Sequence, residues 1–270
     1  MSGKGAQSTH HNDGADRTAH DDVLLLTEGD LSIIRLNRPH ARNAFGARFR
    51  HQLADAVNRA NDDADTRVVI IEAAGAGFSA GADLLEDLPE DFDAGREIEE
   101  RIKPTFMAIM NAPKPYIAAV NGGAVGVGCG LAMACDLTLM ASDGFFLFAF
   151  AGLGLAPDGG TSWHLVRQIG RKRAFDILTG GQRITAQECH ALGLVNAVVA
   201  PDELSKAARE RARNLADKPW RGVAFAKQAV GQAALLSVGD LMSLEARLQS
   251  EAFASEEFRA AAQAFRSARP

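Results

Sequence analysis

From Pro115 to Cys135 the chain carries no charged residue, and Lys114 and Asp136 bound that stretch on either side. Pro115 to Val120 has the short, apolar make-up of a buried strand. Asn121 follows, and then five glycines, 122, 123, 126, 128 and 130, punctuate a turn that runs into a helix of small residues. A strand that ends in a helix N-terminus presents backbone N–H groups with no partner inside the helix, and glycine removes the side chains that would keep a ligand away. Such a place suits an anion, or an oxygen that becomes one. The stretch is long enough to cross a bilayer, but glycines and an asparagine at its middle fit close backbone packing better than lipid. It is also not a dinucleotide fingerprint: Gly126-Val127-Gly128 is followed by Cys129, Gly130 and Leu131, so the third glycine is misplaced.

At 270 residues with 47% hydrophobic and 23% charged, the chain has the make-up of one large soluble domain with room for an annex. A net charge of −5, without a cluster of Lys and Arg, excludes a nucleic-acid surface. Cys129, Cys135 and Cys189 sit in apolar surroundings and show no metal spacing, which suggests reduced thiols in the cytoplasm. Residues 1–22 are polar, lack an apolar h-region and read as a disordered tail, in which His10, His11 and His20 are solvated. No membrane segment is expected.

Val23 to Thr27 and Leu31 to Leu36, parted by Glu28-Gly29-Asp30, read as a hairpin. Phe45, Phe49, Leu53 and Val57 recur every four positions on one helix face, and Val68 to Ile71 is a doubly buried strand. A glycine-punctuated loop, residues 75–84, and an acidic surface segment, 88–95, lead to a helix marked by Ile98, Ile102, Phe106 and Ile109. Beyond Asp136, strands are expected at Leu137 to Met140 and Phe145 to Phe150, then a helix through Trp163, Leu165 and Val166. Thr185-Ala186-Gln187-Glu188 has the capping-box pattern, Gly193 ends that helix, and Leu194 to Val199 reads as a strand. From Asp202 the pattern is helical, broken near Pro219 and Gly239. The expectation is an α/β core over residues 23–200 and a helical region over 201–270.

The ordered run Ile34-Arg35-Leu36-Asn37-Arg38-Pro39, Arg42-Asn43-Ala44, Phe78-Ser79-Ala80-Gly81-Ala82-Asp83-Leu84 and the glycine-rich stretch resembles the enoyl-CoA hydratase/isomerase (crotonase) family, over about Leu24 to Phe265. The resemblance implies a spiral of ββα turns around two roughly perpendicular sheets, with C-terminal helices that assemble trimers or pairs of trimers. It implies an acyl-CoA substrate whose thioester oxygen is held by two backbone N–H groups, here those of Ala82 and Val127. It further implies CoA contacts from Arg42, Ala44, Ala80, Ala82, Asp83 and Leu84, with Phe265 offered to a neighbour's adenine pocket. Coenzyme A enters only as part of the substrate, with no other cofactor and no metal. The lysine that often follows the Gly-Ala-Asp-Leu run is Leu85 here.

A hydratase of this family uses two glutamates, and their positions fall at Gly130 and at or near Phe150, where nothing ionises. Without two carboxylates, addition of water loses both its base and its acid. Asp158, in Gly154-Leu155-Ala156-Pro157-Asp158-Gly159-Gly160-Thr161, instead resembles the single acid of the Δ3,Δ2-enoyl-CoA isomerases and of the ring-opening isomerase of phenylacetate degradation. Phe145, Phe146, Phe148 and Phe150, with Leu153, are expected to form an apolar wall that raises its pKa. Read from the residues alone, Asp158 equally suits the N-cap of the following helix. Two other uses of the resemblance remain open. One is a dehalogenase-type nucleophilic aspartate, though Phe150 stands where that branch has Trp, and Trp163 and His164 read as core or helix surface. The other is an acyl-CoA-binding subunit without catalysis.

Overall fold

A computed structural model describes residues 21–267. The expected tail, with its three histidines, lies outside these apart from Asp21 and Asp22, which are held in place. Asp22 pairs with Arg48 at 2.5 Å, and Asp21 accepts a hydrogen bond from Gln52 at 2.7 Å.

Val23–Glu28 (β1) and Leu31–Leu36 (β2) form the expected hairpin, with Gly29 at φ 65° in its turn. Ala47–Asp62 (α1) buries Phe49, Leu53 and Val57, but Phe45 stands outside the helix and bridges to Ala82. Val68–Ala73 (β3) follows, and then Ala94–Glu97 (α2) continues through a π turn, Ile98–Ile102, into Lys103–Asn111 (α3). After Tyr116–Val120 (β4), the glycine turn holds a short strand, Gly123–Val125 (β5), before Val127–Ala134 (α4). Leu137–Ala141 (β6) and Phe145–Leu147 (β7) come next. The latter stops short of Phe150, whose carbonyl accepts the N–H groups of Leu153 and Leu155 and so turns the chain. Thr161–Ile169 (α5), Arg171–Gly180 (α6), Arg183–Thr185 (β8), Ala186–Ala191 (α7) and Ala197–Val199 (β9) complete this part. The capping box of Thr185 and Glu188 is formed. Four helices follow among the described residues: Leu204–Ala216 (α8), Trp220–Ala233 (α9), Val238–Ala254 (α10) and Glu256–Ser267 (α11). The second break lies before Gly239, because the Ser237 hydroxyl accepts the Asp240 N–H and starts α10 there.

One sheet has the order β1-β2-β3-β4-β6-β9, parallel except for the β1–β2 pair, and the other has β5-β7-β8. Alternation along the strands divides the core. Ile34, Val69, Ile71 and Ala118 face one cluster with α1 and α4, while Ile33, Val68, Ile70 and Ile117 face another with Leu204, Ala208 and Ala212 of α8. Helix α8 therefore covers one face of the larger sheet, and the packed core continues past residue 200.

The two charges that bound the uncharged stretch are both clamps. Lys114 is buried and donates to the carbonyls of Ala60 and Asp63 at the end of α1. Asp136 accepts the Tyr116 N–H at 2.7 Å and pairs with Lys227 at 2.8 Å, and Lys227 also donates to the carbonyls of Ile109 and Lys114. One ammonium thus seats α9 against the ends of α3 and β4. Burial raises the Asp136 carboxyl above the usual carboxylate range, and Lys227 opposes that rise. The Lys227 ammonium is buried while Asp136 is partly exposed, so Lys227→Met, which takes their donor from Asp136 and two backbone carbonyls, should lower stability by about 2 kcal/mol. A urea unfolding curve checks this, and an unchanged midpoint would show that the clamp contributes nothing.

Candidate active site

The segment from Phe78 to Ala82 is stitched on two sides. On one, the Ala80 N–H donates to the Arg42 carbonyl at 2.8 Å, Ser79 Oγ to the Asn43 carbonyl at 2.8 Å, and the Phe45 N–H to the Gly81 carbonyl at 2.8 Å. On the other, the N–H groups of Phe78 and Ser79 donate to the Gly123 carbonyl, and the Val125 N–H to the Ser79 carbonyl at 2.9 Å. Asn43 makes the first seam possible. It is fully buried at φ 55°, its Nδ2 donates to the carbonyls of Ala74 and Gly77, and its Oδ1 accepts the Arg38 N–H.

These bonds orient the Gly81–Ala82 peptide. In a planar trans peptide the C=O and N–H point opposite ways, so a carbonyl held by Phe45 turns the Ala82 N–H away from that seam. Gly81, at φ 84°, packs directly on the β5–α4 junction: a Cβ there would lie 2.6 Å from the Val125 oxygen and 3.7 Å from Gly126 Cα. Gly126 at φ 53° precedes α4, and its carbonyl accepts the Cys129 N–H. Val127 is the first helical residue, so its N–H has no partner inside the helix and lies at the positive end of a fully buried helix dipole. Gly81, next to the expected Ala82 donor, therefore packs on the residues that immediately precede Val127.

The turn that follows Asp158 reaches the start of α4 from a third side. The next residue, Gly159 at φ 57°, packs so that a Cβ on it would come within 3.2 Å of Phe106, 3.3 Å of the Val127 side chain and 3.4 Å of Gly130 Cα. The start of α5 is served by the Asp158 backbone carbonyl, which accepts both the N–H and the hydroxyl of Thr161. The carboxylate is not an N-cap: Gly160 holds that position with no side-chain cap. Asp158 Oδ1 is buried with no hydrogen-bond partner among the described residues. Burial pushes this carboxyl up to about 6, with its own backbone N–H opposing.

The apolar surroundings differ from those expected. Phe146 and Phe148 are wholly buried, Phe145 lies under the Arg183 guanidinium, and Leu153 is 55% exposed. Phe106 of α3 and the Val127 side chain pack at the Asp158 turn instead, and Phe150 packs by Gly126. Phe106 carries an ordinary helix-face signal in sequence, and only the fold brings it here. At Gly130, a Cβ would lie 2.6 Å from the Gly159 carbonyl oxygen, so the position has no room for a side chain while that turn stays where it is. Phe150 is apolar and 6% exposed.

Of the expected CoA contacts, Ala80 and Ala82 flank Gly81, while Ala44 is buried and its carbonyl accepts from Arg38. Arg42 is exposed at φ 51°. Asp83 pairs with Arg38 at 2.5 Å, which holds its carboxyl below the usual range. Leu84 and Phe265 are 66% and 64% exposed, the latter on α11. His164 is buried and packs edge-on to Trp163, and burial lowers its pKa to about 4. Among the described residues no group of three His, Cys, Asp or Glu could hold a metal, and no helix is long and apolar enough to cross a membrane.

A family model described as Enoyl-CoA hydratase/isomerase matches residues 27–270. The chain is 36% identical to the probable enoyl-CoA hydratase of Rhodobacter capsulatus over 91% of this chain and 94% of the relative. It is 33% identical to the 1,2-epoxyphenylacetyl-CoA isomerase of Escherichia coli K12 over 90% and 94%. The crystal structure of an enoyl-CoA hydratase from Polaromonas sp. JS666 superposes with a TM-score of 0.85 at 32% identity, covering 92% of this chain and 97% of that one.

The Asp158 environment has a sign that can be measured. Its folded pKa lies above the unfolded carboxylate value of roughly 4, so the folded state binds the proton more tightly. Stability from this group is greatest below pH 4 and falls as pH rises to about 6. Asp158→Asn removes the buried charge and should stabilise the fold by about 2 kcal/mol at pH 8 and by much less at pH 4. Unfolding curves of both proteins at the two pH values check this. An equal difference at both would mean that the carboxylate is not desolvated.

Proposed function

Because the chain belongs to the enoyl-CoA hydratase/isomerase family, we propose that it isomerises an enoyl-CoA, or a closely related acyl-CoA, through a thioester enolate. The Asp158 carboxylate takes a proton from C2, and the C–H electron pair moves toward the thioester oxygen. The N–H groups of Ala82 and Val127 hold that oxygen as it becomes an enolate. The same acid then returns the proton at C4 while the double bond moves from C3–C4 to C2–C3. Fixed donors aimed at developing charge contribute on the order of 3 kcal/mol each. A carboxylate that titrates near the working pH can both take and give a proton.

The observation that carries this reading is a buried, unpartnered Asp158 oxygen on a turn whose next residue, Gly159, packs against Val127 and leaves Gly130 no space for a second acid. The isomerase name of the Escherichia coli relative supports it. Hydratase is the commoner word among relatives' names, which keeps hydration as the alternative. Hydration would need another acid to supplement Asp158. We also read the exposed apolar side chains of the last helices, Val230 at 75%, Val238 at 77% and Met242 at 64%, as a surface for self-association into trimers or hexamers.

The test is to give the purified protein 3-enoyl-CoA and crotonyl-CoA side by side. The wild type should move the double bond with a rate that rises through an apparent pKa near 6. Asp158→Asn should lower that rate by at least about 1,000-fold, while CoA-thioester binding stays within about 3-fold. Water addition to crotonyl-CoA as the dominant reaction would replace isomerase with hydratase, and full activity in the Asn variant would remove Asp158 from the mechanism.

A further inference from the structure

We propose that Arg50 is a positioning residue that fastens both ends of the acidic segment from Glu86 to Glu97 to the peptide carrying the Ala82 N–H. This rests on the reading of that N–H as a donor to the thioester oxygen. Arg50 lies in the first turn of α1 with a side chain only 11% exposed, and neither a packed core nor the proton-transfer chemistry requires a guanidinium there. Its Nη1 donates to the Phe45 carbonyl and lies 3.4 Å from Glu86 Oε2. Its Nε lies 2.6 Å from Glu97 Oε1 without hydrogen-bond alignment, so that attraction is Coulombic. Glu86 also accepts the Ala47 N–H at 2.6 Å through Oε1, which serves a helix start where Gly46 has no side chain to do so.

The chain of contacts continues into the site. Phe45 is held at both of its polar groups, its carbonyl by Arg50 and its N–H by the Gly81 carbonyl at 2.8 Å. That carbonyl belongs to the same planar unit as the Ala82 N–H. A shift of Phe45 therefore rotates the donor, and a shift of the acidic segment pulls on Phe45 through one guanidinium. Beyond Ala82, the Arg38–Asp83 pair grips the chain from the other side, so the donor sits between two arginine clamps. Without Arg50, Glu86 and Glu97 would be left as two half-buried carboxylates at one spot and would repel each other.

The experiment compares the full-length wild type with Arg50→Met, Arg50→Lys, Glu97→Gln and the Arg50→Met/Glu97→Gln double variant. Two readouts are taken: amide hydrogen exchange in the ligand-free protein, and kcat and KM on 3-enoyl-CoA. In Arg50→Met, exchange at the Phe45 amide and across residues 84–97 should speed up at least about 10-fold, with β4 unchanged. Its kcat should fall about 10-fold while KM moves by less than about 3-fold, because the lost alignment matters most in the transition state. Glu97→Gln should give a smaller effect that disappears against Arg50→Met, and Arg50→Lys, which reaches fewer partners, should fall between. Should Arg50→Met not fold, the Lys and Gln variants carry the same comparison. Unchanged Phe45 exchange overturns the proposal, as does faster exchange spread evenly over the molecule with kcat intact. A wild type without isomerase activity would sink the functional reading alone, since Phe45 exchange needs no substrate.

Discussion

The close approach of Gly81 to the Val125 carbonyl is the contact on which the site depends. A methyl group there would sit 2.6 Å from a backbone oxygen, and the residue's φ of 84° is strained for any L side chain. Bringing two backbones this close sets a loop from the first part of the chain directly against the residues that precede a helix start from its middle. The 78–82 loop has no helix dipole behind it, and the α4 N-terminus offers only its own first amides. Hydrogen bonds hold the loop from two sides, so the contact adds little motion, and pre-orientation of this kind is what makes an amide effective against developing charge.

The same kind of packing decides which acids the site can carry. Gly130 and Gly159 face each other so tightly that either would bring a Cβ within 3.4 Å of the other's backbone. This excludes a side chain at Gly130 and at the same time carries the Asp158 turn up to Val127. The absence of a side chain at Gly130 and the placement of the Asp158 turn are thus a single packing arrangement.

Much of this was legible in sequence where a local rule governs. The hairpin, the doubly buried β3, the Thr185 capping box and the β4-to-α4 passage follow from periodicity and turn chemistry. Tertiary pairing was not legible. Gly123–Val125 reads as turn because glycines hide a strand that forms by pairing with β7 and bridging to Ser79. Phe45 follows the helical period of α1, yet its N–H is taken by Gly81 and it leaves the helix. One part of the apolar surroundings was missed for a similar reason: Phe106, which packs at the Gly159 turn, arrives from a helix distant in sequence. The use of Asp158 turned on a distinction no sequence shows, since its backbone carbonyl caps Thr161 and so leaves the side chain available.

That availability has a thermodynamic cost. A carboxylate with a buried, unpartnered oxygen loses solvation without a compensating hydrogen bond, and its upward pKa shift measures how much the folded state disfavours the charge. Among the described residues no hydrogen-bond partner relieves it: Lys227 is committed to Asp136, and His164 is buried and neutral at ordinary pH. If the residue served only the fold, an asparagine or serine would fill the turn with less penalty. The surrounding fold is well able to bear the cost, with two apolar clusters on the faces of one sheet and a buried ammonium joining α9 to the ends of α3 and β4. Local cost without local compensation is the arrangement expected of a group kept for proton transfer.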